Sequence, residues 1–285
     1  MNIAIIGLGL IGGSIGLGLK GNRGQGLGVR VVGVPRREET IQEAINRGAI
    51  DSGTTDPKKG VADADVVFLC TPINLILPVL KEIAPVLKKG AIVTDVGSTK
   101  YEIVSQAEKI MSKGAFFVGG HPMAGKEQVK LEASAADLFQ DKAWILTLTS
   151  KTSKKALEKV EEIVRLLGGM AVRMDPKTHD LAVAGISHTP LAVAAALANA
   201  VEGSKKAKEE MKLCVASGFR DTTRIASGDP ILGVDMFTTN KKAVLQTLSA
   251  FKKALSHLEK LIKEGDADEI EKELERAKNF RDLLF

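Results

Sequence analysis

The chain has 285 residues, 44% of them hydrophobic, with a formal net charge of +5 and a pI near 9.0. That is enough apolar material for one large core or two modest ones. Lys and Arg are interspersed with Asp and Glu and form no basic arm, so nucleic acid is not expected as a partner. The mild positive balance favours small anionic ligands. Cys70 and Cys214, far apart in the chain, read as two reduced thiols rather than a disulfide framework. Met1-Asn2 leads straight into a strand pattern with no basic leader and no cleavage site, and a cytoplasmic protein is expected. The longest apolar stretch, residues 181–201, contains Ser187-His188-Thr189-Pro190, which predicts a buried helix or helix pair rather than a membrane span.

In chain order, short apolar runs at residues 2–6, 29–34, 65–70, 91–95, 115–118 and 144–148 read as strands separated by amphipathic helices. Near-continuous apolar strands with helical crossovers predict a doubly wound α/β domain around a parallel sheet, over residues 1–174. After the first strand comes Gly7-Leu8-Gly9-Leu10-Ile11-Gly12. In a βαβ unit the first glycine permits the turn, the second admits a pyrophosphate and the third allows helix and strand to pack closely. The phosphates then meet the positive end of the helix dipole. A dinucleotide is the expected cofactor.

The second strand ends in Val34-Pro35-Arg36-Arg37, with no acid before Glu38. A carboxylate there would bind a ribose 2′-hydroxyl, whereas two guanidiniums suit a 2′-phosphate, so Arg36 and Arg37 predict NADP, with NAD tolerated at lower affinity. The plainer reading has both arginines opening a solvated helix. Cys70, Thr71 and Pro72 close the third strand at the carboxyl edge, where a Rossmann sheet binds its cofactor. A strand-to-helix turn explains them equally well. Gly119-Gly120-His121-Pro122 follows the fifth strand and brings His121 to the same edge. A histidine held between glycines and a proline has little packing role there, and His121 is read as catalytic.

From residue 175 the pattern is helical, at residues 182–201, 203–216, 241–262 and 268–284. Residues 175–285 are therefore read as an all-helical domain. Its segment 191–198 is apolar all round and must be buried, either within the domain or against a second subunit, and a homodimer is favoured. His188 interrupts this apolar helix and needs a partner or a ligand. His179 reads as structural or capping, and His257 as solvated. No metal-ligand cluster is expected.

Taken together, residues 7–13, 68–72, 95–100, 119–125, 186–190 and 218–224 resemble the prephenate and arogenate dehydrogenase family almost end to end. The segments 95–100 (Asp-Val-Gly-Ser-Thr-Lys) and 218–224 (Gly-Phe-Arg-Asp-Thr-Thr-Arg) add to the resemblance. The wording of several segments is most similar to the NADP-using arogenate dehydrogenases. The resemblance implies a helical dimerisation domain and a set of roles. His121 would hydrogen-bond the ring hydroxyl and take its proton, with Ser98 at the same hydroxyl near the nicotinamide. His188 would line the substrate pocket, and Arg224 would bind the side-chain carboxylate. Without the resemblance, Ser98 reads as a helix N-cap and Arg224 as a surface charge.

The implied reaction is oxidative decarboxylation in tyrosine biosynthesis. The substrate is arogenate in preference, with prephenate, or both in a dual cyclohexadienyl dehydrogenase, as the alternative. Glu127, Asp221 and Asp229 are candidate partners for the ammonium of arogenate. With the chain ending at Phe285 after its helices, a monofunctional enzyme is expected. Two rival readings are a β-hydroxyacid dehydrogenase and a non-catalytic NADP-binding sensor. The first would be expected to use a lysine at the start of the helical domain. The second would leave His121, His188 and Arg224 without a role.

Overall fold

A computed structural model describes residues 1–21, 28–111, 114–126, 130–204 and 208–284. Its first half is an eight-stranded sheet in the order β3-β2-β1-β4-β5-β6-β7-β8. The strands are β1 (Asn2–Ile6), β2 (Arg30–Val34), β3 (Ser52–Gly53), β4 (Val66–Leu69), β5 (Ile92–Asp95), β6 (Phe116–Pro122), β7 (Ala143–Thr147) and β8 (Met170–Met174). Strands β1 to β6 pair in parallel, as their apolar composition predicts. Alternation along β1 sends Ile3 and Ile5 into one core and Ala4 and Ile6 into the other. The first core is closed by α1 (Leu10–Lys20) and α6 (Lys154–Leu166), and the second by α4 (Ile73–Ile83) and α5 (Tyr101–Ile110). The strand order reverses between β1 and β4, and this opens the ligand crevice at their carboxyl ends.

Two features depart from the sequence reading. The fifth predicted strand does not stop at residue 118: β6 runs on through Gly119, Gly120 and His121 to Pro122, paired antiparallel with β7. The two glycines, expected after the strand, lie within it and serve close packing. A Cβ on Gly120 would lie 2.6 Å from the Asp95 carbonyl oxygen, and one on Gly119 would lie 2.7 Å from a Val104 methyl. The sheet is therefore parallel with one antiparallel junction. Strands β3 and β8 were not anticipated, the first being two residues long and the second a half-exposed edge strand.

Beyond Asp175 the described elements are helices. Pro176–Glu202 is one continuous rod, made of α7 (Pro176–Val183), a π-helical segment (Ala184–His188) and α8 (Thr189–Glu202). Asp175 caps it, its carboxylate accepting from the N–H groups of Lys177 (3.0 Å) and Thr178 (3.1 Å). The π-turn closes with an N–H of Thr189 donating to the carbonyl of Ala184 just before Pro190, which has no N–H to offer. Of the helix predicted over 203–216, the described residues give α9 (Lys208–Leu213), and α8 ends at Glu202 with Gly203 as its C-cap. Then follow α10 (Ser217–Thr223), α11 (Pro230–Thr239), α12 (Lys241–Glu264) and α13 (Ala267–Asp282). The rod is long and apolar enough to cross a membrane, yet its first turns bury His179 and Asp180 against the sheet domain. Only Thr189 and Ala194 of α8 are buried, so within one chain the expected burial of this helix is incomplete.

Candidate active site

The glycine loop has the geometry of a phosphate cradle. Gly7 has φ +93° and donates its N–H to the Val34 carbonyl at 3.0 Å, which holds the loop beside the end of β2. A Cβ at Gly7 would lie 2.5 Å from the Cys70 carbonyl oxygen, and one at Gly12 would collide with the Gly7 carbonyl oxygen. Gly9 is the N-cap of α1, with no side chain over the first turn and no acidic residue in it, so Leu10, Ile11 and Gly12 open the helix with bare N–H groups. The Thr71 hydroxyl is buried at the mouth of the crevice with no hydrogen-bond partner, the kind of group a bound cofactor satisfies. Pro72 is the N-cap of α4. The Cys70 thiol is held strongly in its neutral form, by burial and then by the nearby Asp95 carboxylate, and is no nucleophile. Arg36 and Arg37 are both exposed just past β2, Arg37 as the N-cap of α2 (Glu38–Asn46). These residues fit a dinucleotide.

Beside this crevice lies a chain of polar groups that crosses from one domain to the other. At the end of β6, the His121 Nδ1 is 2.8 Å from the His179 Nε2, with the rings edge to face. The His179 Nδ1 is 2.8 Å from Oδ1 of Asp180. The Asp180 carboxylate also accepts from the backbone N–H groups of Lys100 (2.7 Å) and Tyr101 (2.9 Å), and so caps α5 from outside its own chain segment. Asn240 donates from Nδ2 to the Asp180 carbonyl at 2.7 Å, and the same Nδ2 lies 3.3 Å from the His188 Nδ1. Thr99 and Thr239 share a hydroxyl contact of 3.0 Å across the same boundary.

Under this chain is a buried ion pair, Lys100 with Asp95. The Asp95 carboxylate is further held by the N–H groups of Gly97 (2.8 Å) and Gly120 (3.1 Å), which joins the turn after β5 to β6. Burial lowers the proton affinity of Lys100, and Asp95 opposes that shift. His121 is held well below the ordinary histidine value, first by desolvation and then by His179, Lys100 and His188. Burial likewise pushes His188 down to about 4, with Asp180 pulling upward and His179 downward. Both imidazoles are neutral at pH 7, so one can accept a proton and the other can offer a neutral hydrogen bond.

The structure thus brings His121 and His188 into one network at the crevice edge. Ser98 lies partly buried in the turn between Gly97 and Thr99; it does not cap α5, whose N-cap is Lys100 and whose cap carboxylate is Asp180. Arg224 is exposed at the start of the 3-10 turn Arg224–Ser227, which packs on α8. Of the acids considered for an ammonium, Asp229 caps α11 and Asp221 pairs with Arg220, while Glu127 lies outside the described residues. Sequence reasoning read His179 as structural or capping; the cap is Asp175, and His179 faces His121. It missed Asp180 and Asn240 altogether. The adjacent His179-Asp180 pair, one turn into a capped helix, was the one signal on offer.

A glycine cradle at a Rossmann switch point, beside a neutral histidine network, defines a pyridine-nucleotide-dependent oxidoreductase. Residues 19–173 match the family model described as prephenate dehydrogenase, nucleotide-binding domain, and residues 175–276 match that described as prephenate dehydrogenase, dimerization domain. A prephenate dehydrogenase of Bacillus subtilis is 34% identical over 283 residues, covering 99% of this chain and 76% of the relative. The crystal structure of Synechocystis arogenate dehydrogenase superposes with a TM-score of 0.89 at 36% identity, covering 100% of both chains. That of a prephenate dehydrogenase from A. aeolicus, in complex with hydroxyphenyl propionate and NAD+, gives 0.92 at 36% identity, covering 100% of this chain and 98% of the other. The chain belongs to the prephenate dehydrogenase family. Its activity is that of a prephenate, arogenate or cyclohexadienyl dehydrogenase of tyrosine biosynthesis, and the β-hydroxyacid reading is set aside.

Proposed function

We propose that this chain is an NADP-dependent arogenate dehydrogenase that oxidatively decarboxylates arogenate to tyrosine. In this reading it is a cytoplasmic homodimer joined through its helical domain, with the domains divided at residues 174 and 175. The observation that carries the cofactor choice is the exposed Arg36–Arg37 pair just beyond β2, with no acid before Glu38. The glycine loop is tied to that strand end by the Gly7 to Val34 hydrogen bond of 3.0 Å. Motif wording and the full-length similarity to the Synechocystis enzyme support arogenate. Prephenate, giving 4-hydroxyphenylpyruvate, is the second reading, and the name of the Bacillus subtilis relative favours it.

The residues that would hold the cofactor are the Gly7–Gly12 loop, Arg36, Arg37 and the Cys70-Thr71-Pro72 turn. When bound, the nicotinamide supplies the hydride acceptor for oxidation at the hydroxyl-bearing ring carbon. His121, neutral at pH 7, takes the hydroxyl proton as that carbon becomes a carbonyl, and loss of CO₂ then leaves an aromatic ring. Ser98 hydrogen-bonds the same hydroxyl and orients it. His188 contacts the substrate from the helical domain, and Arg224 binds its side-chain carboxylate bidentately. A positioned general base is typically worth about 10²–10⁴ in rate.

Initial rates with arogenate and prephenate, each with NADP⁺ and NAD⁺, test the assignment. Selective turnover of arogenate with NADP⁺ is expected. A preference for prephenate would overturn the substrate choice, and one for NAD⁺ would overturn the role of the arginines.

A further inference from the structure

Asp180 stands between the two site histidines and reaches each through one intermediary, His179 on the side of His121 and Asn240 on the side of His188. Its carboxylate accepts from two backbone N–H groups, those of Lys100 at 2.7 Å and Tyr101 at 2.9 Å. Facing Oδ1 at 2.8 Å, the His179 Nδ1 must therefore carry a proton. In a neutral ring that leaves the His179 Nε2 with a lone pair. The His121 Nδ1, 2.8 Å away, then has to be the donor, and the second nitrogen of His121, Nε2, is bare.

The backbone of Asp180 acts on the other histidine. Its carbonyl accepts from the Asn240 Nδ2 at 2.7 Å, which settles which end of that amide bears the N–H groups. The same Nδ2 lies 3.3 Å from the His188 Nδ1, so that nitrogen accepts, and a neutral His188 carries its proton on Nε2.

We propose that His179, Asp180 and Asn240 are positioning residues that impose opposite tautomers on the two site histidines, His121 with a bare Nε2 and His188 with a protonated Nε2. This rests on the reading of His121 as base and His188 as substrate ligand. His121 then meets the ring hydroxyl as an acceptor, the only form in which it can take the proton. His188 offers an N–H to a substrate oxygen, a carbonyl or carboxylate. Asp180 caps α5 of the sheet domain from α7 of the helical domain, so the same residue that docks the domains arms both histidines.

Nitrogen NMR of the full-length protein labelled in its four histidines separates a bare ring nitrogen from a protonated one. The expected spectrum has His121 protonated on Nδ1 only and His188 protonated on Nε2 only. His121 protonated on Nε2, or the two rings in one tautomer, would overturn the proposal. Asp180→Asn turns an amide donor towards the His179 Nδ1 and should reverse the pair, protonating the His121 Nε2. Its kcat should fall by about 10²-fold or more, with nucleotide affinity kept. Asn240→Leu frees His188 and should raise the substrate KM more than it lowers kcat. Wild-type kcat in Asp180→Asn would contradict the coupling. If either variant fails to fold, the wild-type spectrum decides alone. Predicted tautomers in a protein that turns over neither substrate would support this proposal while removing the functional one.

Discussion

At the scale of single residues, burial and charge decide what each group can do. His188 keeps its proton affinity at about 4 in the folded chain against 6.5 in the unfolded one, mainly through burial. The unfolded chain therefore binds the extra proton first, and folding loses stability as pH falls from 6.5 towards 4. Urea unfolding across that range should show falling midpoints for the wild type and a shallower fall for His188→Gln. An unchanged slope would mean that His188 is not buried as described. His121 is depressed in the same direction, so the acid limb of kcat/KM should lie below the ordinary histidine value of 6.5. A limb at or above that value would show a solvated imidazole. The arginine pair makes a separate claim. Arg36→Ala and Arg37→Ala should each weaken NADP⁺ binding by about 1.5–3 kcal/mol, roughly 10- to 100-fold, if each makes a charge-assisted bond to the 2′-phosphate. NAD⁺ binding should barely move, and equal losses for both cofactors would refute a phosphate clamp.

At the scale of elements, the sequence announced most of what is apolar and little of what is polar and crossing. Six strands, the glycine loop and the helical second half follow from hydrophobic period and from Gly and Pro. His121 was legible because its flanking glycines left it no packing role. Those glycines were placed after the strand, since nothing local shows that they sit within it and let Asp95 and Val104 approach. Gly120→Ala should therefore cost about 1–3 kcal/mol of stability through overpacking against the Asp95 carbonyl and should displace His121. Denaturant unfolding and kcat would register the two effects separately, and a silent substitution would show that β6 yields freely. His179 was hidden by Asp175-Pro176 just before it, a cap pattern that invites a local explanation. Asn240 carries no sequence signal, and Asp180 carries only its place beside His179: partners of the two lie 60 and 80 residues away, respectively, and only the packing of two domains brings them together.

At the scale of the whole molecule, the sheet domain is closed and the helical domain is not. In the sheet, two apolar cores fill both faces. In the helical domain Ile231, Val234, Leu255 and Phe280 are each more than half exposed, and α8 is covered on one side only. Such a surface is unusual for a protein that works alone, and residues 175–276 match a domain described as one of dimerization. Sedimentation should give twice the chain mass of 30.3 kDa. A monomer at micromolar concentration would leave the apolar surface without the occupant assigned to it.

The central claim is that the neutral His121, held at the edge of the nucleotide crevice, is the base for the oxidised hydroxyl. His121→Asn, assayed by single-turnover reduction of NADP⁺ with arogenate and by nucleotide titration, tests it most directly. A rate lowered by about 10²–10⁴ with nucleotide binding intact is predicted; a rate close to that of the wild type would contradict the account.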